Sequence, residues 1–340
     1  MRIGRFLPLL LILTFFHYNT ANAQFGSPLT VFKNDLPTQK ECAEITGRKL
    51  VVMKVRWDID QIDEYTRKKQ FSQLEEYKDN CAAFSNSFTE PVSERWTMHD
   101  TMEYHTFKEL REMYQAGETN VIVVALARIK ITKGADDKKQ FDLSYSYYGD
   151  EDAKDSSGFD PNDFKALVVF PIEQIMELPD AFKKIYVGVQ LEHQNPSKEE
   201  LYYAVDVVTD LVKRKAADNT FTDKVIKQSA PKLKDYTLAI SKDDWDEDYK
   251  IKDAEPYYPL PIEVMEPAKF KQLITEGKPG YAYAIKVGLN TTIMLSDKRE
   301  VAYLQQPNDI PTRKASDKFA NRDFHKIYEA VTGVKVEFKE

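Results

Sequence analysis

Trp-Asp-x-Asp occurs twice in this chain, as Trp57-Asp58-Ile59-Asp60 and as Trp245-Asp246-Glu247-Asp248, and each copy closes an apolar run of strand type. Setting the two tryptophans in register also sets Leu50 on Leu238, Val51 on Ala239 and Val52 on Ile240. A second register keeps the same order: Gly117 on Gly277 places Leu110 on Phe270, Met113 on Leu273 and Val121 on Tyr281, with no gap through the following strand. A third sets Gln190-Leu191, then Pro196 and a helix, on Tyr303-Leu304, then Pro311 and a helix. Matched strings in matched order mark an internal duplication, and a duplicated chain folds as two copies of one unit. That unit reads strand, Trp-Asp-x-Asp, helix ending in glycine, strand, further strands, proline turn, helix. The first copy carries insertions around 61–100 and 132–165.

Periodicity fills in the unit and predicts an α+β (mixed α/β) fold: two related modules, each a small mixed sheet with packed helices. The β-branched run 50–56 reads as a buried strand. Asp60 can cap a helix through 84, with Ile62, Tyr65, Leu74, Tyr77, Cys81 and Phe84 near one face. Residues 85–102, with Pro91 and Trp96, read as irregular. A helix over 104–116 stops at Gly117. Strands follow at 121–131, 141–148, 166–170 and 185–191, with helices at 173–184 and 196–214; the latter carries Leu201, Val205, Val208, Leu211 and Val212 on one stripe. In the second copy strands are expected at 236–240, 281–287, 292–295 and 301–305, a stiff proline-rich stretch at 256–261, and helices at 267–276 and 319–331. The domain plan is a targeting segment at 1–23, a flexible arm at 24–40, module 1 at 41–214, a polar linker at 215–234 and module 2 at 235–340.

Arg2 and Arg5 precede an apolar run at 6–16 that is shorter than the roughly 20 residues a membrane helix needs. Ala21-Asn22-Ala23 then offers small residues where signal peptidase reads, so the segment is expected to be a signal peptide cleaved near Ala23. Its Ala-Asn-Ala-Gln ending resembles those of Bacteroidota envelope proteins. The expected localisation is periplasmic or secreted. Without the two arginines, 46 basic residues face 55 acidic ones, a charge near −9. Such a surface disfavours phosphate backbones, so no nucleic-acid partner is expected. No later run is long and apolar enough to predict a transmembrane segment in the mature chain.

Several side-chain groups could carry chemistry. The two Trp-Asp-x-Asp strings place Trp57, Asp58 and Asp60, and Trp245, Asp246 and Asp248, at strand ends, where paired carboxylates could hold a cation or a polar ligand beside an aromatic platform. The competing reading is packing: Trp under a turn, one Asp capping it, the other solvated. Tyr257 and Tyr258, between prolines, read as a recognition surface or as half-buried strand residues. Cys42 and Cys81 either bridge in an oxidising envelope or stay as buried thiols. The acidic loop with Asp150, Asp152, Asp155 and Asp160 is dense in oxygen ligands but does not match EF-hand spacing; weak Ca²⁺ binding competes with a solvated insertion. His99, His105, His193 and His325 show no zinc spacing, and there is no GxSxG, Walker loop or GxGxxG.

The stretch 256–287, with Tyr257-Tyr258-Pro259, a helix ending in glycine and an aromatic strand, resembles periplasmic components of the Bacteroidota gliding and type IX secretion machinery over about a tenth of the chain. The arginine-rich strand that accompanies those motifs is absent, and no function is carried across. The expected function is a non-enzymatic envelope protein that binds another envelope protein or a peptide, without a cofactor. The alternatives are a glycan- or peptide-directed hydrolase using a pair such as Asp58 and Asp60 or Asp246 and Asp248, and a Ca²⁺-stabilised carbohydrate-binding module.

Overall fold

Three helices begin with reciprocal caps: Thr38 with Glu41, Thr106 with Glu109 and Ser197 with Glu200 each exchange side-chain and backbone hydrogen bonds. In the computed structural model the described residues are 37–55, 59–133, 139–145, 163–176, 185–191, 196–218, 220, 226, 229–246, 248–287, 290–305 and 318–334. The first module runs α1 (Gln39–Gly47), β1 (Lys49–Met53), α2 (Ile59–Arg67), α3 (Phe71–Arg95), β2 (Met102–His105), α4 (Phe107–Gln115), β3 (Val121–Lys133), β4 (Lys139–Tyr145), β5 (Asp163–Pro171), β6 (Val187–Gln190) and α5 (Lys198–Ala217). The second runs β7 (Thr237–Ser241), α6 (Ile251–Ala254), β8 (Ile262–Met265), α7 (Pro267–Glu276), β9 (Tyr281–Val287), β10 (Asn290–Leu295), β11 (Glu300–Gln305) and α8 (Asn321–Thr332).

The duplication is written into the strand registers. The first sheet has the order β2-β1-β3-β5-β6, with β4 paired to β3, and the second the order β8-β7-β9-β10-β11. Leu50 pairs with Met102 and Ile122 as Leu238 pairs with Ile262 and Ala282, all parallel. Val169 lies opposite Val124 as Ile293 lies opposite Ala284, both antiparallel. Gly117 and Gly277, which follow the equivalent helices α4 and α7, both take positive φ, +91° and +73°. A side chain is strained in that conformation, and at Gly277 a Cβ would also meet the Ser296 carbonyl oxygen at 3.1 Å. The third sequence register is corrected by three residues: the ladders set Val187, not Gln190, on Tyr303.

The two units stack in the same sense. On sheet 1, Leu50, Val52, Ile122 and Val124 face α5, whereas Val51, Val121 and Val123 face α4 with Phe107 and Leu110. On sheet 2, the residues equivalent to the α5-facing set, Leu238, Ile240, Ala282 and Ala284, face α8. Those equivalent to the α4-facing set, Ala239, Tyr281 and Tyr283, face α7 and α5. The central core is therefore shared. Helix α5 lies between the sheets, with Leu201 through Thr209, Leu211 and Val212 all buried.

Other sequence expectations shift locally. The helix expected over 60–84 is two: Lys69 takes φ +57°, ending α2, and α3 runs on through Pro91 to Arg95. The helix expected over 104–116 begins one turn later, because 102–105 is an edge strand and Thr106 is the cap. Edge strand β8 likewise follows the 256–261 stretch. The helix expected over 173–184 is a short 3₁₀ turn at Ile172–Met176, its remainder lying outside the described residues. Within the expected linker, the described 3₁₀ turn Ala230–Asp235 buries Ala230 and Leu233 in the second module's core.

Candidate functional site

Beyond the carboxyl ends of the parallel strands β1 and β2 lies a groove of about 790 Å³. Its position follows from the connections. Helix α3 leads from β1 to β2 over the central face, through Phe88, Val92 and Trp96; α4 leads from β2 to β3 over the opposite face. A crevice opens where successive connections take opposite faces of a sheet, and such crevices hold ligands in open α/β sheets. One wall is Cys81, Ala82 and Ser85 of α3; the other is Thr106, Phe107, Lys108, Arg111, Glu112 and Gln115; Lys54 and Val55 form the floor. The floor is fixed at both residues: the Lys54 N–H donates to the His105 carbonyl at 2.8 Å and the Val55 N–H to Ser85 Oγ at 3.2 Å.

The described lining carries three cations, Lys54, Lys108 and Arg111, and one carboxylate, Glu112. Lys108 and Glu112 lie 3.8 Å apart but are widely exposed, so that pair is weak and leaves the cation largely available. Arg111 sits 5.7 Å from the Phe107 ring centroid. Glu109 accepts the Thr106 N–H and hydroxyl, which hold its carboxyl below the usual range, with a smaller pull from His105 and Lys54. Burial pushes the Cys81 thiol up to about 11, so at neutral pH it is not a thiolate nucleophile.

Module 2 has the corresponding corner. By the strand registers Phe107 corresponds to Pro267, Arg111 to Lys271, Lys54 to Lys242 and Val55 to Asp243. There the first turn of α5 closes the corner: Ser197, Glu199 and Glu200 line what is left, about 190 Å³, with Ser241, Asp243, Pro267 and Lys271.

The sequence candidates scatter. Trp245 is buried against Tyr249 and Phe324, and its Nε1–H donates to the Tyr249 carbonyl at 2.5 Å. Asp246 and Asp248 are exposed, and Asp246 Oδ1 accepts the Asp248 N–H at 3.0 Å in a local turn. Trp57, Asp58, Asp150, Asp152, Asp155 and Asp160 lie outside the described residues, and Asp60 is described only as backbone of α2. Tyr257 is half-buried. Tyr258 is 1% exposed against Phe324 and Tyr328, and its hydroxyl has no hydrogen-bond partner among the described residues. Cys42 and Cys81 are both buried and are not joined in a bridge: Cys42 sits in the central core, whereas Cys81 lines the groove. His99 is a packing residue, bonded at Nδ1 by Trp96 and at Nε2 to the Arg48 carbonyl, and burial lowers its pKa.

Sequence reasoning missed a buried latch between the modules. Arg95, at the end of α3, reaches Asp206 of α5 at 3.4 Å and donates to the Ile274 and Thr275 carbonyls of α7 at 3.3 and 2.6 Å. Its guanidinium also lies 4.2 Å from the Tyr202 ring centroid. Burial raises the Asp206 carboxyl to about 6 against the opposing pull of Arg95 and Arg299. One turn on, Asp210 accepts the Val301 N–H and an Arg214 N–H. The available signal was two aspartates inside the apolar run Tyr202–Val212. Among the described residues no group of three or more His, Cys, Asp or Glu side chains is placed to hold a metal ion, and no helix is long and apolar enough to cross a membrane. Compared with family models, curated proteins and solved structures, the chain matches none.

Proposed function

We propose that the chain is an exported envelope protein whose first module binds a segment of a protein partner in the groove beyond β1. The observation that carries this reading is the groove itself: about 790 Å³ beside a sheet end, with an apolar wall and three cations on an otherwise acidic chain. That volume lies within the usual range for built ligand sites. A binding role is favoured over the hydrolase alternative because the described lining offers one carboxylate, no histidine and a protonated thiol. The Asp246 and Asp248 pair lies apart from it, in a local turn. Export rests on the segment ending at Ala23, and the intact mass of the envelope form should begin at Gln24.

The binding reading is tested by a photo-crosslinking amino acid placed at Lys108, with a control at Lys252 on α6, in cells that export the protein. A discrete adduct from position 108 only, lost on Arg111→Glu, is expected. Equal labelling at both positions, or an adduct indifferent to Arg111→Glu, defeats the proposal.

A further inference from the structure

The duplication supplies a template for what the groove accepts. In module 2 the corner formed by the β7 end and α7 is closed by a helix start, Ser197-Lys198-Glu199-Glu200, delivered by α5 of the other module. In module 1 the equivalent corner is, among the described residues, the open groove. We infer that the groove binds the first turn of a partner protein's helix that opens with a hydroxyl cap followed by acidic residues. This rests on the binding reading above and names its ligand.

Charge supports the assignment. Arg111 keeps the cation that Lys271 supplies in the corner lined by Glu199 and Glu200. Three differences make the open corner more basic than its template, against one that adds a carboxylate, Glu112 in place of Gln272. Asp243 is replaced by Val55, and Glu266, which holds Lys242 at 2.9 Å, is replaced by Thr106. Lys108 adds a third cation where module 2 has Ala268. Carboxylates in a helix's first turn are also the ones its dipole favours, so an acidic start suits both the partner's own helix and this rim. A second copy of this chain fits poorly. The helix equivalent to α5 is α8, which opens Asn321-Arg322-Asp323, and Asp323 is buried on Lys286 at 2.7 Å.

The probe is an acetylated, fluorescently labelled peptide of residues 196–206, used with the full-length protein. Its reverse-charge form carries Glu199→Lys and Glu200→Lys. The first peptide should bind wild type at least tenfold more tightly than the second. Arg111→Glu and Lys108→Glu, both at exposed positions, should lose that preference, and the reverse-charge peptide should regain affinity for them. Equal binding of both peptides to wild type, or a preference untouched by either variant, overturns the inference. A random-peptide phage selection on the whole protein separates the two levels. Peptides that need Arg111 but lack acidic starts overturn this inference and leave the binding reading standing. Selection of no groove-dependent peptide overturns both.

Discussion

The two modules share one topology and register, yet they close the equivalent sheet face by different means. In module 1 that face carries Val123, Ala125, Val168 and Phe170 and is covered by α4 and the 3₁₀ turn that follows β5, with Ile172 and Ile175 buried. In module 2 the corresponding link between β10 and β11 is the short turn 296–299. Its equivalent residues, Tyr283, Ile285 and Met294, join the central core beneath α5. One copy is thus closed by its own chain segment; the other borrows a helix. Duplication preserves the hydrogen-bonded frame, whereas cover is assigned by whatever element lies next to it.

The comparison breaks first under truncation. Residues 229–340 expressed alone should show no cooperative urea transition, because removing α5 uncovers Tyr283, Ile285, Val287 and Met294 at once; a sharp transition with a matching thermal melt would show that module 2 closes itself. Arg95→Ala in the full chain should cost about 3–5 kcal/mol, since it leaves Asp206 buried and two carbonyls without their donor. The loss should appear as one shifted transition; two separated transitions would mean the modules do not share a core. Trp245→Ala should cost about 3–4 kcal/mol, and Asp248→Asn should stay within about 0.5, because one fills the core and the other is solvated. Comparable losses in both would point to a site at that turn.

Acid sharpens the picture of the latch. The Asp206 carboxyl is raised from 3.8 to about 6, so the folded chain binds its proton more tightly than the unfolded chain does. This group's contribution therefore falls as pH rises through that window, by about 1–2 kcal/mol between about pH 5 and pH 7.5. Asp206→Asn should lack that component. Urea titrations of both proteins at the two pH values give the difference, and parallel slopes would show that burial does not dominate there. The smallest expected effect is a gain: Tyr258→Phe removes a buried hydroxyl that has no partner among the described residues, and should stabilise by up to about 1 kcal/mol in the same titration. A loss of that size would reveal a partner for the hydroxyl.

What could be read in advance was what depends on near neighbours in the chain. Leu50 on Leu238 and Gly117 on Gly277 were legible because a strand and a helix stop are local. The third register slipped by three residues because the β5–β6 and β10–β11 links differ in length, which no string match records. Strands β2 and β8 were missed as four-residue edges with little burial. The spacing of Leu201, Val205, Val208, Leu211 and Val212 predicts one apolar stripe on α5, yet Tyr202, Tyr203 and Val207, off that stripe, are buried too. The groove was illegible because Cys81 and Phe107 meet only once α3 and α4 take opposite faces.

The borrowed helix also sets a direction in time. The helices packed on sheet 1, α1, α3, α4 and α5, all precede residue 218, so the first module can form most of its core before the second leaves the ribosome. The second sheet then meets a finished surface and condenses on it. On this hypothesis the amide protons of β3 and β5 gain protection before those of β9 and β10 in pulse-labelled refolding, and simultaneous protection of all four strands would reject it. The first module would then act as a resident scaffold on which the second folds.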